Sequence, residues 1–271
     1  MRPFPKLRKR AQKQIKSWRR SADNPTAKKI RMRARGRDPF GNVLFLKRAL
    51  TSLIGIATYR SLNIANKTNV EGAEYLLDLP KTNVLFISNH QTYFVDVIAL
   101  YHIFCSVKWK FKNINIPIYL LFPTVKSFYI AAEETMKESG FIPKMFSYAG
   151  AVTVRRSWRH KGHDVQRSSD IKAPDKIKKA LSFGWVINFP QGTTTKDAPI
   201  RKGSANLIRN LRPIVVPVEL KGFDQAFDKK GIRFKNKRIN LSVKFKKPIQ
   251  FEENAKLEDI QNFLEEELLG K

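Results

Sequence analysis

Apolar positions along this chain follow two rhythms. Short uninterrupted runs, Val84 to Ile87, Ser127 to Ala131, Val152 to Arg155, Trp185 to Phe189 and Ile214 to Leu220, have the length and content of strands buried on both faces. Between them lie stretches long enough for helices, notably Val95 to Phe104, Glu133 to Tyr148 and Asp175 to Phe183. This alternation predicts an α/β fold, a single mixed sheet flanked by helices. Further on, Ile232 to Phe234 and Ile239 to Lys246 flank the turn-like Lys235-Asn236-Lys237-Arg238 and predict a hairpin. Leu257, Ile260, Phe263, Leu264 and Leu268 then mark an amphipathic helix ended by Gly270. No internal repeat or low-complexity segment interrupts the pattern.

Ahead of this domain, Val43, Leu46, Leu50, Leu53 and Ala57 recur at steps of three and four, with Lys47, Arg48, Thr51 and Ser52 on the other side. That is the stripe of an amphipathic helix. Its uncharged stretch, Ala49 to Tyr59, is bounded by Arg48 and Arg60. It is too short to cross a hydrocarbon core of about 30 Å, yet suited to lie in the interface. An ordinary helix packed on the core fits the stripe as well. The expected organisation is therefore a basic arm over residues 1–37, an amphipathic membrane-surface segment over 38–66, and an α/β domain over 67–271.

Charge sharpens the picture of the arm. The net charge is +29, and residues 1–37 hold fifteen Lys or Arg against the single Asp23. With Pro3, Pro5, Pro25 and few large apolar residues, such a segment cannot bury enough surface to fold alone and is expected to be disordered or only locally helical. Nucleic acid phosphates and anionic lipid headgroups both attract polybasic segments, the latter by roughly 1 kcal/mol per cation. Beside an amphipathic stripe the membrane surface is the better partner, because two weak signals together give stable attachment. A nucleic-acid binder has no aromatic recognition motif or zinc spacing to support it, so nucleic acid is not an expected partner. The lone Cys105, in the apolar run Tyr101 to Cys105, reads as a small buried hydrophobe in a reducing compartment. The start of the chain lacks the apolar run of a secretory signal, and no uncharged apolar stretch of about 18 residues occurs.

Candidate chemistry begins where the first strand ends. Asn89-His90 follows the run Val84 to Ile87, and open α/β sheets place their chemistry at the carboxyl ends of strands. A single histidine there reads as a structural residue as readily as a base. Asp96 stands six residues on, and Phe189-Pro190-Gln191-Gly192-Thr193 about a hundred residues later, also after a strand.

Four blocks, in order over roughly residues 70–225, resemble the 1-acylglycerol-3-phosphate acyltransferases and the wider glycerolipid acyltransferase family. They are Asn89 to Asp96; Gly150 to Arg156; Phe189 to Thr193 followed by Arg201-Lys202-Gly203; and Ile214 to Val218. Two departures stand out. Five residues separate His90 from Asp96 where the family has four, and Gln191 stands where glutamate is usual. The resemblance implies a single α/β acyltransferase domain that moves a fatty acyl group from acyl-CoA or acyl carrier protein to a lysophospholipid, with Arg156 on the family's phosphate-binding arginine.

These residue types suit that reaction. Acyl transfer from a thioester to an alcohol needs a base neutral near pH 7, which His90 supplies. A carboxylate on the other ring nitrogen fixes the tautomer, and Asp96 is the candidate if a looped start to the next helix absorbs the extra residue. Arg156 offers a planar fork to a phosphate. Gly192 and Thr193 bring a tight turn and a hydroxyl to phosphate or thioester oxygen, and Gln191 retains an acceptor without charge. Lys202 is a further candidate for the phosphate. His160 and His163 have a metal-like spacing but lie among cations without a third ligand block, so no metal is expected, nor any cofactor beyond the acyl donor. The apolar stretch Ile116 to Ile130 suits either an acyl-chain tunnel or plain core. The expected acceptor is lysophosphatidic acid, with another lyso-lipid such as a lyso-aminolipid as the alternative. The expected location is the cytoplasmic face of a membrane, peripheral or monotopic.

Overall fold

The computed structural model describes residues 36–124, 126–137, 141–156, 159–160, 163–164 and 170–270. The arm expected over residues 1–37 lies outside them, apart from its last two positions. Helix α1 (Leu44–Asn63) leads into β1 (Lys67–Glu71), a short α2 (Glu74–Leu77), β2 (Val84–Ser88) and α3 (Val95–Lys108). A 3-10 turn (Pro117–Leu120) precedes β3 (Ser127–Ala132), α4 (Glu133–Met136), α5 (Phe141–Gly150), β4 (Ala151–Val154) and the two-residue strands β5 (Arg159–His160) and β6 (His163–Asp164). The chain continues through α6 (Ala173–Phe183), β7 (Trp185–Asn188), α7 (Lys202–Leu211), β8 (Ile214–Lys221), α8 (Phe223–Ala226), β9 (Asn240–Phe245) and α9 (Leu257–Leu269).

Seven strands form one sheet in the order β1-β9-β8-β2-β7-β3-β4. All neighbours run parallel, as the alternation predicts, except β8 and β9, and that one antiparallel pair gives the expected mixed sheet. Central β2 is buried at every position because helices cover both faces. Its side chains alternate accordingly. Val84 and Phe86 enter the layer shared with α3, while Leu85 and Ile87 enter the layer shared with α6, α7 and α9. With strands on both sides, β2 is held rigidly at mid-sheet, and the chain beyond Ser88 emerges at a fixed point.

Two expected elements differ. The helix expected over Glu133 to Tyr148 is two helices, α4 and α5. Pro143 sits in the first turn of α5, where its missing N–H costs nothing, so the helix restarts there rather than running through. The hairpin before β9 is absent. Of its first arm only Phe234 bridges, to Phe227, while β9 pairs with β8 on one side and β1 on the other. The cause is Asp228, whose Oδ1 takes the N–H groups of Ile232 (2.8 Å) and Arg233 (3.2 Å) and closes that segment into a turn.

Helix α1 is inverted relative to a core helix. Lys47, Thr51, Gly55 and Leu62 face the protein, whereas Phe45 (79% exposed), Leu53 (63%) and Ile56 (59%) face out. The stripe read from the sequence is thus not core: Val43, Leu46, Leu53 and Ala57 are exposed and Leu50 is half-buried. The inward polar groups are matched one by one. Lys47 Nζ sits 3.8 Å from Asp38 Oδ2 and donates to Ser127 O (3.1 Å), Ser52 Oγ donates to Leu120 O (2.7 Å), and Thr58 Oγ1 meets His102 Nε2 (3.0 Å). Among the described residues no helix is long and apolar enough to cross a membrane.

Candidate active site

The site is assembled at the carboxyl end of β2. Asn89 extends the strand's pairing through its side chain, with Nδ2 donating to Leu220 O (2.9 Å) and Oδ1 accepting Leu220 N–H (2.7 Å). Residues 91–94 then turn instead of entering α3 directly, which absorbs the fifth spacer residue. The turn is wound around one buried carboxylate. Asp96 Oδ2 accepts the N–H groups of Gln91 (2.6 Å) and Thr92 (3.0 Å), and Oδ1 accepts the Thr92 hydroxyl (2.7 Å). Oδ2 also meets His90 Nδ1 at 2.9 Å. Asp96 is fully buried in the first turn of α3, where the N-terminal helix dipole favours a negative charge.

The imidazole is fixed from two directions. Asp96 holds Nδ1, and the Phe189 ring stacks on the imidazole at a centroid distance of 3.9 Å and an angle of 16°. With Nδ1–H donated to Asp96, the neutral ring carries its lone pair on Nε2, which takes no hydrogen bond from the described residues. His90 lines a cavity of about 1260 Å³, large enough for two substrates to meet. Tyr93, Val97, Tyr129, Ile130 and Met136 give its wall apolar surface, and Glu134, Arg156, Asn188, Thr193 and Arg201 give it polar groups.

Other expected site residues are placed differently from one another. Arg156 lines the cavity, but its fork is already engaged, by Gly192 O (3.3 Å) and Glu134 Oε2 (3.5 Å). Gly192, at φ +67°, turns the chain back; its N–H is spent on Phe189 O (3.0 Å), so it has no amide to offer a ligand. Thr193 stays on the wall. Gln191 does not: it is buried, its amide donates to Ala198 O (2.9 Å), and its place is structural. Lys202 is exposed at the start of α7 and off the cavity, while its neighbour Arg201 lines it. Of that pair, then, the cation on the cavity wall is not the one singled out from the sequence. It also misses Glu134, which no spacing singles out, and the contact of Phe189, whose place beside a strand-end motif is visible but whose stacking is not.

The remaining candidates fall away from the cavity. Among the described residues of the stretch Ile116 to Ile130, only Tyr129 and Ile130 reach the cavity wall; Ile116, Ile118, Leu121 and Phe122 lie on the outside. Cys105 is buried and its thiol is pushed up to about 12 by burial, which removes it as a nucleophile. His102 is buried against Tyr119 and Thr58, and burial lowers it to about 3, so it is a neutral structural residue. The side chains of His160 and His163 lie outside the described residues.

A protein-family model described as Acyltransferase matches residues 67–221. The crystal structure of the 1-acyl-sn-glycerophosphate (LPA) acyltransferase, PlsC, from Thermotoga maritima is similar in fold, with a TM-score of 0.50 and 21% identity over 81% of this chain and 75% of that one. No curated protein sequence matches the chain.

Proposed function

This chain belongs to the acyltransferase family, and from that premise we propose that it transfers a fatty acyl group from acyl-CoA or acyl carrier protein to the hydroxyl of a lysophospholipid. The acceptor proposed is 1-acylglycerol-3-phosphate, which would become phosphatidic acid. The observation that carries the reading is the fixed His90–Asp96 pair on the wall of a cavity lined by both apolar and polar side chains.

In the proposed reaction His90 Nε2 takes the acceptor's hydroxyl proton as its oxygen bonds to the thioester carbonyl carbon. Asp96 stabilises the imidazolium that forms. The C–S bond then breaks, the imidazolium proton passes to the departing thiolate, and the products are an ester and a free thiol. No enzyme nucleophile, metal or cofactor enters this balance. Arg156, with Arg201 in place of the expected Lys202, would face the acceptor's phosphate, and a charge-assisted contact of that kind is worth about 1.5–3 kcal/mol.

Attachment to an anionic membrane surface is part of the proposal. Phe45, Leu46, Leu53 and Ile56 on α1 are exposed beside the equally exposed Ile116, Ile118, Leu121 and Phe122. The two segments are tied together by Ser52 to Leu120 O and by Asn63 Nδ2 to Ile114 O (3.3 Å). An apolar face of that kind marks an interaction site, and the basic arm supplies attraction to anionic lipid. A single observation favours a second acceptor class, the lyso-aminolipids. The Glu134 carboxylate beside Arg156 is a group that an amine would bind and a phosphate must displace.

The test is an acceptor panel. Purified protein is given acyl-CoA or acyl carrier protein with lysophosphatidic acid, other lysophospholipids and a lyso-aminolipid, and products are identified by mass. Phosphatidic acid as the main product supports the reading, a product only from the aminolipid moves it to the second class, and no acylated lipid from any acceptor overturns it.

A further inference from the structure

The turn that replaces the expected hairpin is docked on the residues just after His90. Lys229 O and Lys230 O accept the N–H groups of Tyr93 (3.0 Å) and Phe94 (3.1 Å). Gly231, at φ +75°, approaches so closely that a Cβ there would lie 2.7 Å from Val95 N. The turn is rigid as well as close. Besides the two bonds to Asp228 Oδ1, Gly231 N–H donates to Asp228 O (2.8 Å) and Asp228 N–H to Arg233 O (2.9 Å), and Phe234 stacks on Phe227 at 5.4 Å.

Its outer side is strongly basic. Lys229, Lys230, Arg233, Lys235, Lys237 and Arg238 are all exposed within ten residues, and Ile232 (45%) and Phe234 (41%) are exposed among them. None of these six cations forms an ion pair with a described carboxylate. Six cations gathered in a rigid turn around the single carboxylate of Asp228 leave an excess of positive charge that is costly for folding and useful for association with an anionic partner. The cluster also borders the cavity, since Lys229 Nζ lies 6.0 Å from the centroid of Tyr93, which lines the cavity with His90.

We propose that this basic turn, residues 227–238, is the docking surface for an acidic carrier protein that delivers the acyl thioester to His90. The proposal rests on the acyl-transfer reading above and adds where and how the donor arrives. A water-soluble donor cannot approach through the apolar face of α1, whereas the turn is tied to the chain just past that helix, where Arg238 N–H donates to Ala65 O (2.7 Å). Its bonds to the N–H groups of Tyr93 and Phe94 set it beside the cavity that His90 lines. A nucleotide carrier would want phosphate donors converging in a cleft, but residues 227–238 contribute nothing to the cavity wall. Cations interspersed with an isoleucine and a phenylalanine on an outer surface instead match the acidic and apolar side chains of a protein helix.

The test compares donors on the full-length protein with lysophosphatidic acid as acceptor. A triple variant, Lys230→Glu, Arg233→Glu, Lys237→Glu, changes only exposed side chains, and a milder Lys230→Gln, Arg233→Gln, Lys237→Gln variant guards against misfolding. The KM for acyl carrier protein is expected to rise about ten-fold or more in the first and less in the second, with kcat, the KM for acyl-CoA and vesicle binding within about two-fold of wild type. An unchanged KM for the carrier protein overturns the proposal, as does an equal rise for both donors or a loss of vesicle binding, which would give the turn to the lipid surface. Wild-type protein that uses acyl-CoA but not acyl carrier protein overturns it too, while leaving the acyl-transfer reading intact. Transfer from neither donor defeats that reading and this proposal with it.

Discussion

His90 owes its orientation to groups that are individually ordinary. One carboxylate gathers two backbone N–H groups, a hydroxyl and the imidazole, and one phenyl ring covers the imidazole face. Asp96→Asn should lower kcat about 10²-fold, because an amide cannot accept from all these donors while fixing the tautomer. Thr92→Val removes one bond to the same carboxylate and should cost only about three- to ten-fold, chiefly in kcat. Steady-state kinetics on both variants check this order, and equal losses would mean that the turn, rather than the carboxylate, is what matters. At Arg156 the contrast lies in KM. Arg156→Ala should raise the KM for lysophosphatidic acid about ten-fold or more, against a smaller effect on an acceptor without a phosphate monoester. The His–Asp pairing was legible because both residues follow one strand. The placement of Gln191 and Lys202 off the cavity wall was not, since neighbouring residues at a turn point in different directions and only the fold decides which reaches the cavity.

Helix α1 shows how a periodic pattern can be read correctly and still leave its direction open. The stripe is real, but a helical stripe alone does not say whether protein or lipid covers it. The inward polar residues show only that this protein does not cover it, because each has its partner on the opposite face: Lys47 with Asp38 and Ser127, Thr58 with His102. Leu53→Glu with Ile56→Glu should therefore leave folding intact and reduce co-sedimentation with anionic vesicles even at low salt. Lys47 yields a pH test of the inward face. Burial lowers it from an ordinary 10.5 to about 8, with Asp38 opposing the shift, so the folded protein releases that proton before the unfolded chain does. Relative to Lys47→Met, wild-type stability should be constant below about pH 8 and rise by on the order of 2–3 kcal/mol between there and about pH 10.5. Guanidinium unfolding at several pH values measures the difference, and a flat difference across that range would show that Lys47 is not buried as charge. The absent hairpin carries the opposite lesson. Alternation and a turn signal were present, yet one local acceptor, Asp228, outcompeted the ladder.

At the scale of the whole molecule, the α/β sheet and the carboxyl-end position of the site followed from uninterrupted apolar runs in an alternating chain, whereas the central place of β2 and the antiparallel β8–β9 pair came only with the fold. The surfaces were less legible, because exposure depends on what the fold leaves uncovered. The molecule combines an apolar face on α1 and residues 116–122, a cavity edged by His90, and a basic turn bonded to the residues just after His90. That arrangement suits an enzyme that draws one substrate from a lipid surface and the other from water. Everything in it depends on His90 acting as the base. The most direct measurement is product stoichiometry with purified wild-type and His90→Ala protein, given lysophosphatidic acid and acyl-CoA, with acylated lipid and free thiol quantified together. The account predicts that wild type releases one thiol per acylated lipid and that His90→Ala, folded and still bound to vesicles, loses turnover by about 10³-fold or more. Near-wild-type turnover in His90→Ala would contradict it.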